Sequence, residues 1–353
     1  MIFLQNQKRK PQILKNLTFS SNANFVFYTK KKIFVAIAFF FVSTIAVSEN
    51  FSFSITPIFG KTSGVLEEKI YNSSKNHEII SLLEWERDIF FAGAGANLSK
   101  KNGFRADALF LFGVGENFGE MRDSDWLNTS DRTMKTHFSV GENNSIVNFY
   151  TTLDAGWNFD FGVFSFSPLA QAQFNYDSFE RKNAEGWYSQ NDSTWWFDES
   201  STHYPHTEWS DEKGRFVKYK LAGVSYERLS LYAWIGAEFK ANLSKRLSFF
   251  AGAFFSPFAY TYATDTHHGS GNQYRQIQTG YFSKIKFSFG GEFLISKRFS
   301  ILICGEQFLG WTDRGELFVK DGDSTKFYLN PNQPTGSTAQ SFSVQIGLKI
   351  KIF

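Results

Sequence analysis

The sequence predicts an all-β protein, a ten-stranded antiparallel transmembrane β-barrel with long extracellular loops. Three observations carry that prediction. First, aromatics make up 19% of the chain, with 43 Phe, yet mean hydropathy is only −0.28. Strands with one lipid-facing aromatic face and one polar lumen face give that combination. Second, several stretches alternate with period two. Third, the connections between them alternate short and long, as they do in barrels with tight turns at one end and long loops at the other.

The chain divides into an N-terminal extension with a secretory signal, 1–48, and a barrel domain, 49–353. Residues 1–29 show no pattern. Lys30–Lys32 then precedes an apolar run, Ile33–Ile45, and a small-x-small site at Ala46–Ser48. A basic segment, a short apolar core and a small-residue cleavage site define a signal peptide. The run is shorter than the roughly 20 residues that a spanning helix needs.

Ten strands are expected after Glu49, over about 50–59, 80–97, 104–116, 146–158, 163–178, 226–242, 247–263, 280–295, 299–312 and 341–353. In the fifth, even positions hold Phe164, Phe166, Ala170, Ala172, Phe174 and Tyr176, and odd positions hold Ser165, Ser167, Gln171, Gln173, Asn175 and Asp177. In the eighth, the aromatic face carries Phe287, Phe289 and Phe293, and the polar face Lys284, Lys286, Ser288 and Glu292. Alternate residues of a strand point to opposite faces, so each stretch has a lipid side and a lumen side. In the seventh, Phe250, Phe254, Phe258, Tyr260 and Tyr262 are expected to face lipid, which turns the odd positions inward. The last strand alternates Phe342, Val344, Ile346, Leu348 and Ile350 with polar residues and ends on Phe353, like the C-terminal assembly signal of bacterial outer-membrane proteins.

Charge and cysteine content exclude several classes. Lys and Arg number 37 against 34 Asp and Glu, so nucleic acid is not an expected partner. The single Cys304 rules out an internal disulfide framework or a multi-cysteine metal site.

Two acidic motifs stand on long connections at one end of this barrel. Gly119–Trp126 carries Asp123 and Asp125, and Ala263–His268 carries Asp265 and His267. In extended chain each pair shares a face. With ten strands, motifs after the third and seventh lie nearly opposite one another at the mouth. A histidine held by a carboxylate, facing two more carboxylates, suits water activation. The same groups also suit a hard cation, or ordinary loop polarity.

The residues resemble those of the omptin family, ten-stranded outer-membrane endopeptidases. Gly119, Met121, Asp123, Asp125 and Trp126 match its Gly-x-Met-x-Asp-x-Asp-Trp motif. Asp265 and His267 match its Asp-x-His after the seventh strand. Gly60–Thr62, Glu68–Tyr71 and Leu83–Trp85 are similar to its first outer loop and second strand. The resemblance covers most of 55–290, and the strand count extends it to Phe353. It implies peptide or protein substrates at the cell surface, no cofactor and no metal. Asp123 and His267 would hold and activate water, Asp265 would orient His267, and Asp125 would support the tetrahedral centre. Met121 would line the pocket after the scissile bond.

Two positions depart from the family. Its pocket for a basic side chain uses two acids; Glu68 matches the first, but Ala263 stands at the second. Its lipopolysaccharide contacts include basic residues on the fifth strand, and 170–179 contains no Lys or Arg. Outer-membrane lipid remains the expected surroundings, without an assumed lipopolysaccharide dependence. A catalytically silent barrel is the alternative: an adhesin using Trp187, Trp195, Trp196 and Trp209, or a pore, which ten strands leave little room for.

Overall fold

A computed structural model of the chain describes residues 51–73, 78–115, 119–126, 135, 137–188 and 223–353. The extension and signal expected over 1–48 lie outside these, as do Trp195, Trp196 and Trp209. The described residues form antiparallel strands arranged in one closed ring of ten. The first five are Phe51–Tyr71, Ile79–Lys100, Phe104–Val114 resumed as Gly119–Asp125, His137–Trp157 and Phe164–Tyr188. The second five are Val224–Asn242, Leu247–His267, Gln273–Gly280 resumed as Lys284–Leu294, Phe299–Gly310 resumed as Asp313–Lys320, and Thr335–Lys351. Each pairs with its sequence neighbours, and the first pairs with the tenth from Ser54↔Lys351 to Ile70↔Thr335. Closure leaves no backbone edge for lipid to meet. At the seam the Phe53 N–H donates to the Phe353 carbonyl at 3.0 Å, and their rings stack 5.7 Å apart.

An apolar belt surrounds one half of the ring. Phe59, Phe90, Phe112, Ile146, Leu231, Phe258, Trp311 and Phe342 mark its upper edge as exposed side chains, and Ile352, Phe104, Trp157, Phe164, Phe249 and Phe299 its lower. The lower turns are short; Asn102 and Gly162 take the left-handed conformation there, at φ 49° and 85°. Above the belt the strands continue. Much of the chain expected as long connections over 60–79, 117–145, 179–225, 264–279 and 313–340 is strand, as in Phe51–Tyr71. Both faces are wet there, so hydrophobic alternation fades while backbone pairing goes on.

The fifth, eighth and tenth strands face as their patterns predict. The seventh is corrected in its lower half: Phe249 and Phe255 are exposed to lipid at 47% and 43%, while Phe254 is buried in the lumen at 7%. The cause is a bulge at Pro257. Proline has no N–H for the ladder, and the pairing shifts register between Ala233↔Phe258 and Ile235↔Phe255. Ser256 Oγ donates to the Phe258 carbonyl at 2.7 Å across the irregularity. Above it the expected phase holds, with Ala259, Thr261, Ala263 and Asp265 buried inward.

Charged pairs and aromatics fill the lumen. Arg105 bonds Glu238 at 2.6 Å, Glu292 binds both Lys240 and Lys349, and Arg87 pairs with Asp177 at 2.9 Å. A Tyr232–Trp234–Phe308 cluster packs at the same depth as Lys286, whose ammonium lies 4.9 Å from the Trp234 ring centre.

Candidate active site

The site stands on the strand ends above the belt. Asp123 and Asp125 lie on a strand segment, Gly119–Asp125, rather than on the expected loop. It is held between Ser81–Trp85 of the second strand and His137–Asn143 of the fourth. On the other wall, Asp265 and His267 end the seventh strand, flanked by Val224–Tyr226 and Tyr274. Beneath them Trp85 is fully buried and stacks on Tyr226 at 5.1 Å and on Phe179 at 6.1 Å. That aromatic layer gives the side chains above it a rigid floor.

Asp265 Oδ2 lies 2.7 Å from His267 Nε2. Asp265 is buried, whereas the His267 side chain is 36% exposed and open to the mouth. The His267 ring also meets the Tyr274 ring edge-on at 5.1 Å, which limits its rotation. Burial opposes protonation of His267, but the charge and hydrogen bond of Asp265, with Asp123 across the mouth, outweigh it and lift its pKa to about 9. On the facing wall, burial raises the Asp123 carboxyl while Arg181 and His267 counter that rise. Burial and the neighbouring Asp123 push Asp125 up to about 8, against Ser81 and His267. The two walls thus act on each other's charges, as the sequence motifs suggested.

Glu68 reaches the same space from the first strand. It is 1% exposed, and burial, then the charges of Asp265 and Asp123, hold its carboxyl well above the usual range despite Arg228. Met121 is fully buried beside Asp123, and Ala263 is 1% exposed below Asp265. The candidate residues therefore converge. Among the described residues, no group of three or more His, Cys, Asp or Glu is placed to hold a metal ion.

Sequence reasoning missed Arg181. Its Nη1 donates to Ser139 Oγ at 2.7 Å and to Met121 Sδ at 3.5 Å, and lies 3.8 Å from Asp123 Oδ2. The signal was present: Arg181 continues the odd, lumen-facing phase of the fifth strand beyond the end the pattern gave it.

The fold is that of a closed ten-stranded outer-membrane barrel with an acid-rich mouth. The family model described as the omptin family matches residues 48–352, and the chain belongs to that family. Family and fold together make it an outer-membrane protease. Among solved structures, the outer membrane protease OmpT from Escherichia coli aligns with a TM-score of 0.72 at 14% identity, over 87% of this chain and 98% of that one. The outer membrane protein OprG from Pseudomonas aeruginosa aligns at 0.32 and 7% identity, over 86% and 96%. No curated protein sequence matches the chain.

Proposed function

We propose that the chain is an endopeptidase that hydrolyses peptide bonds at the cell surface, activating water with the Asp265–His267 pair opposite Asp123–Asp125. The observation that carries this reading is the 2.7 Å contact between His267 Nε2 and Asp265 Oδ2, on a ring open to the mouth and facing Asp123. With Nε2–H donated to Asp265, Nδ1 is free to take a proton. A water held between Asp123 and Nδ1 gives that proton to His267, and its oxygen attacks the scissile carbonyl carbon. Asp125 supports the facing wall and the developing tetrahedral centre. The imidazolium then protonates the leaving amine, and the C–N bond breaks.

Only neutral His267 accepts the proton. Since its pKa is lifted above 6.5, activity falls as pH drops through a midpoint above that value. Asp265→Asn removes the main lifting charge, so the acid limb should move to lower pH while kcat falls. A pH–rate profile of both proteins checks this; an unmoved limb would detach Asp265 from His267.

The mouth faces outward in this reading. An epitope tag placed in 190–210 should be reached by antibody on intact cells, and one at 100–102 should be protected. The reverse pattern would invert the topology.

Ala263 leaves the pocket before the scissile bond with one acid, Glu68, so any preference for Arg or Lys is weaker than two acids would give. Ala263→Asp should restore part of it, read as the Arg-to-Leu ratio of kcat/KM in matched peptides. Strict Arg or Lys cleavage by the unaltered protein would refute this pocket assignment.

A further inference from the structure

The surroundings of Ala263 do more than lack an acid. Its cross-strand neighbours are Arg228 on the sixth strand and Gln276 on the eighth, each 1% exposed. Gln278, in the same inward phase, donates from Nε2 to Gln276 Oε1 at 2.6 Å and to Thr335 Oγ1 at 3.1 Å. Thr335 leads along the tenth strand to Ser337, which pairs in register with Glu68. Five inward side chains from four strands thus form one connected group that includes both register neighbours of this small residue. Each has a buried polar atom without a hydrogen-bond partner: Arg228 Nη2, Gln276 Nε2, Gln278 Oε1, Ser337 Oγ and Glu68 Oε2. Buried polar atoms are ordinarily satisfied, so a cluster of them asks for an explanation.

We infer that the pocket before the scissile bond takes an uncharged carboxamide side chain, that of glutamine or asparagine. The inference rests on the endopeptidase reading above and names the substrate class of that site. A carboxamide presents one carbonyl oxygen and two N–H donors. Arg228 Nη2 and Gln276 Nε2 suit the oxygen, while Gln278 Oε1 and Glu68 Oε2 suit the amide hydrogens. The competing side chains fit less well. Arg or Lys offers donors alone, leaves two donors of the pocket unpaired and brings its charge beside Arg228. Glu or Asp offers acceptors alone and adds a further carboxylate to a site already crowded with acids. An aliphatic side chain of the same size pairs with none. A site built to hydrogen-bond one group rejects the analogue without it because its own buried polar atoms are then left unmet.

Refolded full-length protein should be assayed on peptides identical except at the residue before the scissile bond, with Gln, Asn, Leu, Arg, Lys and Glu. The Gln or Asn peptide should exceed the Leu and Arg peptides in kcat/KM by about 10- to 100-fold. Gln276→Leu should reduce the Gln-to-Leu ratio about tenfold. Preference for Arg or Lys would overturn the inference, as would preference for Glu, which would mean that Arg228 dominates the pocket. An unchanged ratio in a folded Gln276→Leu barrel would also overturn it. The wild-type series decides even if that variant fails to fold. Cleavage after other residues would refute this pocket alone, whereas no cleavage of any peptide by a folded barrel would refute the endopeptidase reading with it.

Discussion

His267→Ala lowers kcat by about 10²–10⁴-fold, the usual contribution of a general base, while His268→Ala leaves it near the wild-type value. The two substitutions remove the same ring from adjacent positions, so they differ in role rather than in chemistry. His267 is held by Asp265 Oδ2 at 2.7 Å and faces Asp123. His268 is tied to its surroundings through the backbone, its N–H donating to the Gly223 carbonyl at 3.0 Å, and alanine keeps that bond. Asp123→Asn should cost as much as His267→Ala, because it keeps the shape but loses the charge that holds water beside the imidazole. None of these changes should prevent assembly, since the barrel rests on closed strand pairing and its lipid face. Heat-modifiable mobility on electrophoresis checks that each variant is folded before its rate is compared.

Asp313→Ala destabilises the barrel by about 3–5 kcal/mol, the usual cost of breaking a buried ion pair from one side. Asp313 Oδ2 lies 2.9 Å from Lys284 Nζ, and both side chains are fully buried. Lys284 also donates to the Trp311 carbonyl at 2.7 Å. Without Asp313 its ammonium is left with one neutral partner, far from water. The strands fit closely here: a side chain at Gly280 would run into Asp313 Oδ1. The test is the urea midpoint of refolded protein. Replacing both partners together, Lys284→Met with Asp313→Leu, should return stability to near the wild-type value, because no uncompensated charge remains. A loss below about 1 kcal/mol in Asp313→Ala, the range of exposed pairs, would show that solvent reaches Lys284.

Much of this architecture could be read from residues whose two faces meet different solvents. The fifth and eighth strands separate Phe from Gln, Asn and Lys cleanly, because lipid lies on one side and a polar lumen on the other. The seventh strand did not, since Phe249, Phe250, Phe254, Phe255 and Phe258 crowd both faces and the bulge at Pro257 reverses the phase between them. Strand ends above the belt carry no such pattern for a related reason, as water on both sides removes the alternation. The site shows the same division. Asp123, Asp125, Asp265 and His267 form short-range motifs, so spacing and family resemblance located them, and Glu68 came with the family's first loop. Arg181, Arg228 and Gln276 belong to no local motif. Arg228 and Gln276 flank Ala263 through cross-strand register, and Arg181 meets Asp123 through the packing of non-adjacent strands. Neither relation is visible along a single strand.

The central claim is that the Asp265–His267 pair cleaves peptides by activating water without a metal. Its most direct test is incubation of refolded wild-type, His267→Ala and His268→Ala proteins with a mixed peptide library, with and without EDTA, and mass spectrometry of the new ends. The account predicts the same set of cleavages from wild type and His268→Ala, unaffected by EDTA, and near-complete loss from His267→Ala. Equal cleavage by the two histidine variants, or loss of wild-type cleavage in EDTA, would contradict it.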